Sequence, residues 1–338
     1  MMESSANVSL AETLKKDELD FKYRAYTVTY LMVFPMGFLC NSAALVVFLF
    51  ITPKKLASRV FMINLAFSDV GFSLTLPFRL IYYFRNFQWD FPDWLCRLCV
   101  FSFYLNLYTS VLFLTSLSVL RYIAVLHPFQ SKIDFRRAVW ISVGIWVFVA
   151  LLSSPFFMNG VFKDSNNVSH CFEPRDNTSW ERMKNLNYVG VILGCVIPFL
   201  IIVVCYSCIL YRLLCVKEDV KKTKRPKRRT VYLVALILFT FLVCFMPYHV
   251  VRSVHLAAEV SSWDPHFTAS MKKVLVVTLC LAASNSCLNP LMYYFAGESF
   301  RTAIRRASSK RLTSSFKQSI NLRNHHPLPA TLKESLKH

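Results

Sequence analysis

The chemistry-bearing residues of this chain sit where they are costly. Asp69 interrupts the apolar run NLAFSDVGFSLTLPF, and Asn41, Asn106, Ser110, Asn285 and Asn289 fall at comparable depths of other apolar runs. Asn106/Ser110 and Asn285/Asn289 are i, i+4 pairs, so each pair shares one helical face. A carboxylate among neutral oxygens can hold helices together through hydrogen bonds or cage a small hard cation such as Na⁺. Both uses stay open, the residues alone favouring the first.

A second group is cationic. Arg79 lies beside Leu76, Pro77 and Phe78, and Arg252 follows Phe245, Pro247 and Tyr248, with His249, His255, Lys272 and Lys273 nearby and Lys22 near the start. Tyr26, Tyr82, Tyr83, Tyr104 and Tyr108 add aromatic surface with hydroxyl donors. The lysines read as side chains that reach back to an interface. The two arginines suit an amphipathic anion, its acid paired with guanidinium and its body buried against the aromatic walls. Arg121, taken alone, reads as an arginine reaching for the interface. No nucleophile, base and orienting group converge, and no residues have metal-ligand spacing. An enzyme is not expected, nor is a bound cofactor.

The elements that must position these residues follow from hydropathy. The 338 residues are 55% hydrophobic and 17% charged, with mean hydropathy +0.41, a composition too apolar for a soluble surface. Apolar windows long enough to cross a bilayer core of roughly 30 Å recur at 24–51, 59–86, 93–126, 138–159, 187–214, 229–256 and 271–296. Seven spans put the termini on opposite sides. The segments 52–59, 127–137, 216–229 and 301–338 carry 23 Lys/Arg against 4 Asp/Glu, whereas 1–23, 85–95, 160–186 and 257–270 carry 8 against 13. The basic set is therefore cytoplasmic and the amino terminus extracellular. The net charge of +20 is accounted for by topology, and nucleic acid is not a partner.

The N-x-S/T acceptors Asn7, Asn167 and Asn177 all fall on the side assigned as extracellular, where glycosylation occurs. Residues 1–23 lack the apolar stretch of a cleavable signal, so the first span is expected to double as a signal anchor. Nine of the 11 cysteines lie in or at the ends of spans; Cys96 and Cys171 stand apart, both facing an oxidising compartment, which predicts a disulfide. A transporter would need a relay of ionisable groups and often internal repeats. Asp69 is the only acid at mid-depth and no repeat is visible.

Residues 24–308 resemble the rhodopsin-like, class A G-protein-coupled receptors. The resemblance is carried in register by Asn41, NLAFSD (64–69), Cys96, Trp146, Cys171, Pro198 with Tyr206, CFMP (244–247) and NPLMY (289–293). Phe300 and Ile304, spaced i, i+4 with cations between, suit a short amphipathic helix over 297–307, and the polar, basic composition of 308–338 reads as a disordered cytoplasmic tail. The resemblance implies an all-α bundle of seven transmembrane helices over 24–296, with 1–23 as an extracellular tail. It also implies a sixth span that swings on agonist binding to admit a G-protein. Asp69, Asn106, Ser110, Asn285 and Asn289 then look like a sodium pocket. Arg121, Tyr206 and Tyr293 look like activation residues, and Phe245 and Pro247 like the sixth-span hinge region. Three departures are visible: Leu120 replaces the acid that usually precedes Arg121, Phe245 replaces a Trp, and Asn289 keeps an amide where relatives often carry Asp.

Phe103 and Ala283 stand where amine receptors and opsins carry Asp and a retinal lysine. TLPFRLIYY, CFEP, FMPYHVVRSVHL and TLCLAASN resemble the cysteinyl leukotriene receptors. That resemblance implies a plasma-membrane receptor for an anionic lipid mediator, coupled through a Gq-type protein to calcium release. Its ligand contacts would be Arg79, Tyr104, Tyr108, Tyr248 and Arg252, with Tyr26 and His249. Receptors for nucleotides or another small carboxylate form the alternative. On the inner side, KKTKRPKRR within 216–229 reads as a solvated loop near acidic lipid headgroups. Phosphorylation of the tail at Ser308, Ser309, Thr313, Ser314, Ser315 or Ser319 would recruit arrestin.

Overall fold

The computed structural model describes residues 2–52, 56–127, 133–157, 160–164, 167–171, 177–215, 220–296, 300–302 and 305. Within them seven helices are long and apolar enough to cross a membrane: Lys15–Ile51, Ala57–Phe84, Asp93–Leu126, Phe135–Phe157, Trp180–Arg212, Arg229–Val260 and Pro265–Phe295. They are called the first to seventh spans below. Each overlaps its expected window, because a backbone in lipid must satisfy its hydrogen bonds within the segment, and a helix does so. Large apolar side chains such as Phe50, Trp140 and Leu214 are left exposed. That is costly in water and natural for a surface that faces acyl chains.

Several helices are broken where the sequence removes a donor or tightens a turn. The second span divides at Leu74–Thr75 into Ala57–Ser73 and Leu76–Phe84, with Pro77 at the start of the second piece. In the sixth, the π-helical turn Phe241–Phe245 precedes Met246–Val260, with Pro247 in its first turn. The seventh divides at Ser284 into Pro265–Ala283 and Asn285–Ala296. Proline has no N–H to close the helical ladder, so the breaks in the second and sixth spans fall beside it, whereas the seventh breaks ahead of Pro290. Further π-helical turns close the first span (Val47–Ile51) and interrupt the fifth (Ile192–Val196).

The segment 1–23, expected to be an extracellular tail, is from Met2 part of one helix running to Val46. Its Glu18–Lys22 and Asp20–Arg24 pairs are spaced i, i+4, the register that supports a polar helix. The basic loop is likewise helical from Val220, continuous with the sixth span to Thr240. The amphipathic segment 297–307 lies mostly outside the described residues, although Phe300, Arg301, Thr302 and Arg305 are helical and the first two buried. The tail 308–338 lies wholly outside them.

Between the fourth and fifth spans, strands β1 (Val161–Lys163) and β2 (Ser169–Cys171) form an antiparallel hairpin. Asn167 sits exposed in its turn at φ 61°, the left-handed region that Asn tolerates. The expected disulfide joins Cys96 to Cys171, with Cα atoms 5.7 Å apart. Trp89 N donates to Ser169 O at 2.8 Å, tying the hairpin to the loop after the second span.

Candidate functional site

The outer half of the bundle encloses a cavity of about 780 Å³ that Arg79 and Arg252 both line. Arg79 sits on the short helix after the break in the second span, which turns its side chain inward. Its guanidinium donates to Tyr30 Oη at 3.4 Å and Cys99 O at 3.2 Å and lies 6.0 Å from the Phe103 ring centroid, within cation–π reach. Arg252 is 9% exposed and has no hydrogen-bond or ion-pair partner among the described residues. It lies within electrostatic reach of Tyr104, Tyr248, Tyr108 and Tyr26.

The acids at the mouth are already engaged. Glu18 pairs with Lys22, Glu259 with Lys272 at 3.0 Å, and Asp17 with Lys273. These lysines therefore make ion pairs at the rim rather than reaching freely for the interface. The deeper arginines pair with no carboxylate among the described residues. Positive charge is concentrated at depth, between walls of Val100, Phe103, Leu275, Val276 and Leu279.

Of the expected ligand residues, Tyr26 and Tyr104 also line the cavity. Tyr26 stacks on Tyr83 with centroids 4.9 Å apart, and Tyr104 on Phe156 at 3.7 Å. Tyr108, Tyr248 and His249 are not part of the cavity wall; they form a layer under its floor. Phe103 packs edge-on to Tyr248, centroids 6.2 Å apart, and His249 contacts the rings of Tyr248 and Tyr108 at 5.1 and 5.9 Å. Both His249 ring nitrogens are buried without a hydrogen-bond partner among the described residues. Tyr108 is held down because Gly190 and Gly194 leave room for it: an added Cβ would overlap its hydroxyl at the first position and its ring at the second.

Sequence reasoning missed Trp89, Trp180 and Met183, which also line the cavity. They come from loops and outer helix ends, which span periodicity does not place. The disulfide was the one available signal, since it brings the hairpin, and Cys171 itself, to the cavity wall.

At mid-depth the polar residues gather around Asp69. Its carboxylate accepts from Asn106 Nδ2 at 2.9 Å and Asn289 Nδ2 at 2.7 Å. Asn289 also donates to Asn285 Oδ1 at 3.4 Å, and Asn285 Nδ2 to Ala282 O at 2.5 Å. Ser68, not anticipated, accepts from Asn106 at 3.2 Å and lies 2.7 Å from Thr109 Oγ1. The interhelical hydrogen-bonding use is thus realised. Three oxygens of this region are left over: Ser110 Oγ, Ser286 Oγ and Asn289 Oδ1 are buried without a partner among the described residues. Lone-pair oxygens beside a carboxylate are the donor set that suits a hard cation, so the residues also fit Na⁺.

Asn41 belongs to a neighbouring link. Its Nδ2 donates to Gly37 O and Ser286 O, both at 2.9 Å, and its Oδ1 accepts from Tyr293 Oη at 3.2 Å. At the inner end Arg121 lies within electrostatic reach of Tyr206 and Arg301, and Ser118 Oγ donates to Tyr206 Oη at 3.0 Å. Phe245 is fully buried and packs edge-on to Phe241 at 5.7 Å. Trp146 Nε1 donates to Asn64 Oδ1 at 2.8 Å, locking the fourth span to the second. The side chains of Asn7 and Asn177 lie outside the described residues; only Asn167 is seen as an exposed acceptor.

Comparison with known proteins agrees with this arrangement. Residues 40–293 match the family model of the 7 transmembrane receptor (rhodopsin family). The chain is similar to cysteinyl leukotriene receptor 1 of Homo sapiens, 38% identical over 95% of this chain and 94% of that one. It is also similar to cysteinyl leukotriene receptor 2 of Mus musculus, 39% identical over 86% of this chain and 93% of the relative. A purinoceptor of Meleagris gallopavo is 34% identical over 91% of this chain and 85% of its own. With seven apolar spans, a cavity at the hairpin end of the bundle and a polar cluster beneath it, the chain belongs to the rhodopsin family of seven-transmembrane receptors: a multi-pass, non-enzymatic G-protein-coupled receptor of the plasma membrane that takes a small-molecule ligand.

Proposed function

We propose that this receptor answers extracellular cysteinyl leukotrienes and signals through a Gq-type G-protein to calcium release. One observation carries the reading: two inward-turned guanidinium groups line one largely apolar cavity, and neither is paired with a carboxylate among the described residues. Holding a charge away from water without a countercharge is costly, and an anionic ligand supplies the countercharge. A fatty acid carrying a polar thioether-linked group matches the walls, its carboxylate at Arg79 and Arg252, its chain along Phe103, Leu275 and Leu279, and its polar group toward Tyr26 and Tyr104. The amino terminus is extracellular in this reading, with Asn7, Asn167 and Asn177 glycosylated. Na⁺ at Asp69, Asn106, Ser110, Asn285 and Asn289 modulates the receptor, and arrestin binds the phosphorylated tail. Tyr108, Tyr248 and His249 act from the floor, by setting its depth.

The similarity to a purinoceptor supports a second reading, a nucleotide whose phosphates would take the same arginines. A panel of leukotrienes and nucleotides, assayed for calcium release in cells expressing the receptor, separates the two. Potency for the leukotrienes that is lost in Arg79→Ala and Arg252→Ala at matched surface expression supports the first. Response only to nucleotides replaces it, and normal potency in both variants removes the anion model.

A further inference from the structure

Arg59 opens the inner end of the second span, where a cation usually extends to the headgroups. Here it is buried, 8% exposed, and turned across to the first span. Its Nε donates to Phe48 O at 2.6 Å and its Nη2 to Leu49 O at 3.4 Å. Both carbonyls belong to the π-helical turn Val47–Ile51 that ends the first span, where backbone acceptors run out of helical partners. Arg59 therefore fixes the conformation of this turn.

The turn in turn fixes an aromatic side chain. Phe48 is 1% exposed; its ring packs edge-on to Tyr293 with centroids 5.3 Å apart and lies 5.1 Å from Phe300, while Tyr293 and Phe300 are 6.2 Å apart. Tyr293 is fully buried, its hydroxyl engaged with Asn41 Oδ1 at 3.2 Å. Asn41 donates to Ser286 O at 2.9 Å. A continuous strut thus runs from the inner rim of the second span, through the end of the first, to the seventh. Tyr293 is an activation residue by the family resemblance, and contacts that fix its ring oppose any rearrangement of the inner end that moves it.

The geometry points to Arg59 as a positioning residue that holds the inner end of the receptor closed, acting through Phe48 on Tyr293. This rests on family membership and is independent of which ligand is bound. The test reads basal guanine-nucleotide exchange on a G-protein in membranes from cells expressing the receptor, normalised to receptor content. Arg59→Met keeps the volume and removes the donors. Loss of the hydrogen bonds to Phe48 O and Leu49 O, each shifting a two-state equilibrium by a small factor, raises basal exchange about fivefold. Arg59→Lys, with one donor restored, falls between. Phe48→Leu, which leaves Arg59 intact and removes the ring that holds Tyr293, gives the same rise, and adding Arg59→Met to it gives little more. A fold merely weakened by these changes loses activity instead. Basal exchange at or below the unsubstituted level in both Arg59→Met and Phe48→Leu overturns the proposal, as does a fully additive double variant.

Discussion

Replacing Arg252 is the sharpest test of the cavity as an anion site. Arg79 is less clean, since its removal also breaks bonds to Tyr30 and Cys99 and so loosens the second span from the first and third. Arg252 has no such structural duty among the described residues, so its loss registers in ligand affinity. A charge-assisted hydrogen bond contributes about 1.5–3 kcal/mol net, and stripping one partner from a buried ion pair costs about 3–5 kcal/mol because the other charge is left stranded. At about 1.4 kcal/mol per decade, the stranded-charge cost means that Arg252→Gln weakens binding of a cysteinyl leukotriene by roughly 100-fold to 4,000-fold. Arg252→Lys keeps the charge but loses the planar fork and costs about tenfold. The assay is displacement of a radiolabelled leukotriene from membranes containing equal amounts of each receptor. Affinity for Arg252→Gln within about threefold of the unsubstituted receptor would refute the reasoning, because a guanidinium in contact with the acid cannot be that dispensable.

Other outcomes follow from the same geometry. Raising Na⁺ at constant ionic strength lowers agonist affinity in the unsubstituted receptor, and Asp69→Asn removes that dependence; a salt effect that survives the substitution places the ion elsewhere. Gly194→Ala drives a methyl into the Tyr108 ring and lifts it toward the cavity, at a cost of about 1–3 kcal/mol for overpacking. Agonist potency falls while Gly144→Ala, whose Cβ meets nothing within 4 Å, leaves it unchanged. Asn167→Gln removes one glycan, read as a mobility increase that vanishes after glycosidase treatment.

Much of this receptor is written in local patterns. The seven spans depend on runs of about 20 apolar residues, which require no knowledge of packing, and the orientation expected from the lysines and arginines rests on the sequence alone. The disulfide follows from topology alone, since Cys96 and Cys171 are the two cysteines set apart from the membrane interior. The gathering of Asn106, Asn285 and Asn289 on Asp69 is legible because a polar group in lipid has nowhere to turn but inward. That logic does not say which polar group meets which. Asn41 serves Tyr293 and Ser286, and Ser68 takes a place at Asn106 that spacing does not reveal.

Tertiary structure decided the depth and walls of the cavity. Tyr108, Tyr248 and His249 have the same residue types as the groups that line it, yet they lie below the floor, because two glycines on another span accept the Tyr108 ring and Phe103 covers Tyr248. Lys22, Lys272 and Lys273 are matched by acids on their own or a neighbouring helix, while the arginines beneath meet no carboxylate among the described residues, and no one-dimensional count of charge separates those cases. Helical periodicity fixes only which face a side chain occupies. What stands opposite that face depends on how seven helices pack, on residues far apart along the chain, and there the guanidinium groups without a carboxylate acquire their meaning.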